Sequence, residues 1–341
     1  MRFAAALSSP EETDALHEAG ANEVYMGLLE DEWRLLYGGH DIISRRQGKA
    51  NLSSRHQLKI VAERSQALHM SAYLALNARY TKEQYPYLLR LCEEYAACGG
   101  TGIILQDMGL LLQLQEKALP LRLTASLLAV TVNADGVRFM KQLGVSRIVF
   151  PRFLKLSEMK QIAAAVPDME YECMGAGDQC PMIDGLCRSF HGETFEPVPA
   201  SLQNKILHSD VSATDDAIAV TPAIAQPWAK SVSSQDIGGS CPTITGFDPS
   251  FSTFTTFDTS CAAHHLCAGL PRNAHPCAAC EMRAMEDAGI RILKFGGRGT
   301  PLDARLRDLI FFSRAGKCAN TGEIRKLYRE TYAHDCQCYY S

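Results

Sequence analysis

Long apolar runs are missing from this 341-residue chain, and no stretch approaches the ~20 residues that a membrane-spanning helix needs. The N-terminus is apolar only from Met1 to Leu7 before Ser8, Ser9 and Pro10. That is too short for the hydrophobic region of a secretory signal, and it reads as a first strand. An excess of one charge is missing too: 34 Lys and Arg stand against 38 Asp and Glu, for a net charge of -4. The sequence therefore carries no strong electrostatic footprint for nucleic acid. Neither a Ser/His/Asp nucleophile elbow nor a His-Glu-x-x-His zinc motif occurs, so a conventional peptidase mechanism has no residues to use. The first strand runs into Ser8-Ser9-Pro10 instead of a Gly-rich phosphate turn, which argues against an open dinucleotide-binding sheet. With 46% hydrophobic residues and no internal repeat, we expect a soluble, cytoplasmic, globular protein with no membrane span.

What the chain does have is cysteine. Thirteen are present, an odd number that cannot all pair, and with no secretory signal they point to a soft-metal site over disulfides. The densest run extends from Glu172 to Cys187, where Cys180 and Cys187 flank Pro181-Met182-Ile183-Asp184-Gly185-Leu186, and Cys277-Ala278-Ala279-Cys280 follows about 90 residues later. A cluster of iron and sulfide held by four thiolates is the group that such a pattern fits best. Cys277 follows Pro276 at the head of a predicted helix, where the N-terminal dipole stabilises a thiolate. The fourth ligand stays open among Cys267, Cys261, Cys280 and Cys241, with Cys267 preferred because Ala268–Pro276 is a flexible return to Cys277. A zinc knuckle on Cys261, Cys267, Cys277 and Cys280, beside His264 or His265, uses the same thiols. Cys92, Cys98 and Cys173 read as packing residues. Cys336-Gln337-Cys338 reads as an uncommitted tail or as a lid onto the metal.

Apolar runs alternate with amphipathic segments from residue 1 to about residue 175. Strands are predicted at Arg2–Leu7, Glu23–Leu28, Met70–Asn77, Gly102–Asp107, Arg122–Ala129, Arg147–Arg152, Met169–Met174 and Ile290–Phe295. Helix starts stand at Ser9-Pro10-Glu11-Glu12, Ser53-Ser54, Thr81-Lys82-Glu83 and Leu156-Ser157-Glu158, and a last helix runs from Pro301 to about Arg314. Eight such units predict an α/β fold, a (β/α)8 TIM-like barrel. Residues 1–191 hold barrel units one to seven, 192–276 form an insertion over the C-terminal face, and 277–341 complete the barrel and add a tail. Asn77, Gln106, Asp107, Ser126 and Arg152 end strands, where a barrel places substrate groups, and Lys294 and Arg298 surround the end of strand eight. Arg152, Lys294 and Arg298 are the catalytic candidates, since three cations suit a small anionic substrate and the planar fork of Arg152 suits a carboxylate.

These residues resemble the collagenase-like peptidase family U32. Glu172, Gly177, Cys180, Gly185 and Cys187 match its cysteine signature in order and spacing. Ala21-Asn22-Glu23-Val24-Tyr25-Met26-Gly27, Ala50-Asn51-Leu52, Leu143-Gly144 through Phe150-Pro151-Arg152, and Lys294-Phe295-Gly296-Gly297-Arg298 are similar to its other motifs. The resemblance implies a barrel carrying a 4Fe-4S cluster on Cys180, Cys187, Cys277 and a fourth cysteine. It also implies oxygen-independent hydroxylation of a small or RNA substrate, with a prephenate-like anion as oxygen donor and a paralogous protein as partner. The rival implications are a peptidase, as the family name says, and a non-catalytic iron–sulfur or zinc scaffold. The chain departs from the family pattern at Phe153 and Gly296, which stand where the family has Glu, and at Ser126-Leu127-Leu128. It also lacks the run that carries the family's third cysteine.

Overall fold

Hydrophobic positions along the strands sort into two sets. Val24 and Met26, Leu74 and Leu76, and Ile103 and Leu105 join the large apolar core shared with the surrounding helices. Alternate positions Ala6, Tyr25, Tyr73 and Ile104 form a separate, small cluster. A period of two, with both faces buried, is what parallel strands covered by helices require.

The computed structural model describes residues 1–37, 43–44, 46, 48–177, 184–185, 276–336 and 338–340. Eight parallel strands lie in sequence order: β1 (Arg2–Ala6), β2 (Glu23–Met26), β3 (Ser71–Leu76), β4 (Gly102–Leu105), β5 (Arg122–Ala125), β6 (Val145–Val149), β7 (Glu170–Ala176) and β8 (Ile290–Phe295). Pairing of Arg2 with Ile292 through Ala5 with Phe295 closes the barrel. Helices α1 (Thr13–Glu18), α2 (Asp31–Tyr37), α3 (Arg55–Ala67), α4 (Tyr85–Ala97), α5 (Met108–Lys117), α6 (Ala134–Gln142), α7 (Leu156–Ala165), α8 (Met282–Asp287) and α9 (Leu302–Ala315) connect and follow the strands. This is the expected (β/α)8 architecture. Among the described residues no helix is long and apolar enough to cross a membrane. The insertion predicted at 192–276 falls in sequence between β7 and α8 and, but for Pro276, lies outside the described residues.

Three expectations are corrected. The fifth strand stops at Ala125, because the Ser126 hydroxyl accepts the Leu128 N–H and opens a 3-10 turn over Leu127–Ala129. Helix α2 was not anticipated; it buries Trp33 among Tyr37, Tyr80 and Tyr87. A C-terminal helix, Thr321–Tyr332, was also missed. Asn320 caps it by accepting the Glu323 N–H, and it buries Ile324, Leu327 and Tyr328.

The barrel interior is charged. Arg147, 2% exposed, donates to both Glu23 carboxylate oxygens at 2.6 and 3.1 Å, to Glu172 at 3.1 Å and to the Tyr73 hydroxyl at 3.0 Å. Lys294 reaches the other Glu172 oxygen at 2.7 Å. Burial by itself raises the Glu172 pKa, but Lys294 and Arg147 outweigh it and hold the carboxyl below the ordinary value. Burial, reversed by Arg147, Arg2 and Arg122, does the same for Glu170. Desolvation pushes the Tyr73 phenol up to about 12, so it stays neutral and accepts from Arg147.

Because Glu170 and Glu172 have depressed pKa values, their contribution to stability is complete above the unfolded carboxylate value of ~4.3 and is lost as pH falls through the lower folded values. Arg147→Met leaves Glu23 with Arg2 and Glu172 with Lys294 as remaining partners and is expected to cost ~3 kcal/mol at pH 7. That deficit should shrink below pH ~4, where the under-compensated carboxylates protonate. Urea denaturation at both pH values checks this, and an equal deficit at both would contradict it. Asn320→Ala should cost ~1 kcal/mol through the lost cap, read as a lower melting temperature.

Candidate active site at the barrel mouth

A polar pocket opens at the C-terminal ends of the strands, lined among others by Tyr25, Arg46, Asn77, Arg152, Lys294 and Arg298. This is the end at which barrel enzymes place their chemistry. A larger cavity of about 1020 Å³ lies at the opposite end, lined by Arg2, Arg122 and Glu170. There Arg2 and Arg122 pair with Glu170 and Lys141 with Asp168, and the cavity lies away from the strand ends where barrels place their chemistry, so the smaller mouth pocket is the functional candidate.

Three motif segments far apart in sequence meet at Arg298. Its guanidinium is buried and donates from Nη1 to the Ser44 hydroxyl at 3.2 Å and to Asn51 Oδ1 at 3.1 Å. Asn51 in turn donates to the Arg46 carbonyl at 2.8 Å. Backbone bonds of 2.9 Å from Leu52 N–H to the Gly27 carbonyl and from Leu29 N–H to the Leu52 carbonyl tie this segment to the end of β2. Gly27 is glycine for space: a methyl group there would collide with Arg298 and Asn51. No carboxylate among the described residues pairs with Arg298. Burial, seconded by the nearby Arg46 charge, pushes its pKa down to about 10. Among the described residues this buried cation has no counter-charge, an arrangement that favours an anionic ligand.

Lys294 lies deeper, bonded to Glu172, with its ammonium 3.8 Å from the centre of the Tyr25 ring. The Tyr25 hydroxyl donates to the Phe295 carbonyl at 2.8 Å, which fixes the ring. Lys294 thus belongs equally to the interior network and to the pocket floor.

Arg152 was expected to clamp a substrate carboxylate. It holds Asp184 instead: its backbone N–H donates at 2.8 Å, its Nε at 3.1 Å, and its Nη2 completes a bidentate pair. Asp184 is buried, and sequence reasoning missed it; an acid beside Gly185, midway between two signature cysteines, was the available signal. Gly185 has φ +82°, and a Cβ there would strike Val130. Val130 itself has φ +52°, unusual for a β-branched residue. The segment at Asp184-Gly185 is therefore pinned to the ends of β5 and β6.

Of the remaining strand-end candidates, Asp107 caps α5 through the Leu110 N–H and accepts the Tyr85 hydroxyl, and Ser126 caps its own turn. Gln106 donates to the Asn77 carbonyl at 2.7 Å. Phe153, in the place of the family's Glu, is exposed, and Gly296 lines the pocket with backbone alone.

Among the expected metal ligands, Cys180, Cys187 and Cys267, with the alternatives Cys261 and Cys241, lie outside the described residues. Cys277 is described, 1% exposed, and sits in an extended bridge to Ala176 ahead of the helical turn at Ala279–Glu281, not within a helix. A thiol contact of 3.4 Å joins it to Cys336. The Cys336 thiol is pushed up to about 12, with its bond to Cys277 the largest cause. Cys280 is raised likewise by its bond to Cys336, and Cys338 by burial. This donor set, all sulfur, is what a soft metal centre takes. Cys92 and Cys173 are buried, each pushed up to about 12 by desolvation, and pack as expected.

The sequence pattern of peptidase family U32 matches residues 8–192, more than half of the chain. Two curated relatives, both called tRNA hydroxylation protein P, are 27% identical in Escherichia coli strain K12 and 26% identical in Haemophilus influenzae, each over 152 residues. That stretch is 45% of this chain and 33% of either relative, so the chain matches only a third of their length. Among solved structures, the U32 peptidase Mk0906 aligns with a TM-score of 0.41 and 14% identity, over 53% of this chain and 72% of that one. With the barrel closed and more than half of its length matching the family pattern, this chain belongs to peptidase family U32.

Proposed function

We propose that this chain supports oxygen-independent hydroxylation of an RNA substrate, with a small anionic oxygen donor, prephenate-like in class, bound at the barrel mouth. The observation that carries the proposal is Arg298, a buried guanidinium facing the pocket with no carboxylate partner among the described residues. Membership of family U32 and the similarity to relatives named tRNA hydroxylation protein P support the reaction class.

In this scheme Arg298 binds a donor carboxylate, and Ser44 and Asn51 hold the guanidinium in place from the side away from the ligand. Lys294 adds a second positive charge at the floor, bonded to Glu172 and oriented over Tyr25. Arg152 and Asp184 position the strand-seven exit beside the pocket. We further propose an iron–sulfur centre at that exit, with Cys277 among its ligands, which would supply the redox chemistry of the reaction when bound. The thiols gathered around Cys277 fit such a group.

Arg298→Met separates function from folding. Loss of hydrogen bonds to a charged group should weaken binding of prephenate about 10- to 100-fold, the equivalent of ~1.5–3 kcal/mol, measured by calorimetry. Since it removes an uncompensated buried charge, the melting temperature should hold or rise. A folded variant with undiminished binding would refute the proposal, and so would robust gelatin cleavage by the wild type that is lost in Cys180→Ser. Gly27→Ala should destabilise by ~1–3 kcal/mol through its collision with Arg298 and Asn51, and weaken the same binding.

A further inference from the structure

The C-terminal tail ends against the barrel, and it does so through specific bonds. Cys338 bridges Cys277 in parallel pairing, and the Tyr339 N–H donates to the Cys277 carbonyl at 3.1 Å. The Tyr340 hydroxyl accepts the Met174 N–H at 2.8 Å and donates to the Met174 carbonyl at 3.0 Å, so one side chain satisfies both backbone groups of a β7 residue. Tyr339 and Tyr340 are both buried. This docking buries the two tyrosines and brings the thiols of Cys336 and Cys338 to the strand-seven exit.

We infer that Cys277, Cys280, Cys336 and Cys338 form one four-thiolate site for a soft metal, with the C-terminal tail supplying two of the ligands. The inference deepens the proposed function and rests on its assignment of Cys277 as a metal ligand. Cys336 touches Cys277 at 3.4 Å and is hydrogen-bonded to Cys280. Thiolates sharing a tetrahedral ion with ~2.3 Å bonds lie ~3.8 Å apart, so these sulfurs need move little. Cys338 directs its thiol to Glu281 at 3.7 Å, and among the described residues no three donors already converge on one point. Ligation therefore requires Cys338 to rotate away from Glu281. Arg325, on the C-terminal helix, hydrogen-bonds Cys280 and supplies a cation that offsets part of the charge of four thiolates. The tail also answers a deficit in the sequence, since the family's run with a third cysteine is missing here and Cys336 stands beside Cys277 in space.

Four thiolates serve a zinc-type ion or an iron–sulfur cluster equally well, and the test carries both arms. Full-length protein is prepared anaerobically as wild type, Cys336→Ser/Cys338→Ser, Cys180→Ser/Cys187→Ser and, as a control, Cys318→Ser. Each is loaded with Co²⁺ or Zn²⁺ in one arm and with ferrous iron and sulfide in the other. Metal content, visible absorbance and release to a chelator are then read, with near-UV circular dichroism to confirm folding; Tyr339 and Tyr340 are retained to keep the tail anchored. We expect the tail variant to lose thiolate-to-cobalt charge-transfer intensity, or cluster absorbance, in the arm in which the wild type binds. Release should be faster by at least the ~10- to 100-fold that loss of an outer-shell partner already costs in affinity. Cys318→Ser should match the wild type. A folded tail variant with unchanged metal content, spectrum and release overturns the inference and leaves the proposed function standing, above all if Cys180→Ser/Cys187→Ser alone loses metal. A wild type that binds metal in neither arm overturns the metal reading of the proposed function itself.

Discussion

The Arg147 guanidinium, buried at the centre of the barrel, is the interaction on which the remaining architecture depends. Barrel interiors are usually filled by layers of branched apolar side chains. Here Glu23, Glu172, Tyr73 and Lys294 occupy that space, and the apolar cluster inside is reduced to Ala6, Tyr25, Tyr73 and Ile104. Such a network stabilises only when every charge is met, because removing one partner leaves the others buried and unpaired. It also spans five strands, β2, β3, β6, β7 and β8, so their register is set by side-chain pairing as well as by backbone hydrogen bonds.

The same network reaches the mouth through Lys294. Above it the compensation stops: Arg298 has hydroxyl and amide partners but no carboxylate among the described residues. The contrast between matched charge inside and unmatched charge at the opening locates where an anionic ligand would gain most. Arg152 makes the point in reverse. Its fork is engaged by Asp184 and ties that residue to the end of β6.

The strand-seven exit is also where the thiols gather. Cys277 leaves the barrel beside Ala176, the C-terminal helix brings Arg325, and the tail brings Cys336 and Cys338. Sequence separation of about sixty residues between Cys277 and Cys336 is removed by packing of the C-terminal helix against α9 and by the Tyr340 bonds to Met174.

How much of this was legible in the sequence follows from the range of the forces involved. Period-two apolar patterning and caps such as Ser54 act within a few residues, so the eight strands, most helices and the barrel itself could be read directly. Where a local cap competed with a β-prone run, as at Ser126, or where a short helix relied on aromatic packing, as at Trp33, the pattern misled. Lys294 and Arg298 were correctly placed at the mouth by strand-end position alone. What chemistry each could perform was not legible, since it turns on which charges fold against which: Asp184 against Arg152, Glu172 against Lys294, and no acid among the described residues against Arg298. The tail thiols were visible as a Cys-x-Cys pattern, but their meeting with Cys277 is a contact between distant segments that only tertiary packing could decide. The sequence by itself determined the barrel because backbone pairing and apolar periodicity are local; the tertiary structure decided the site because electrostatic partnership is not.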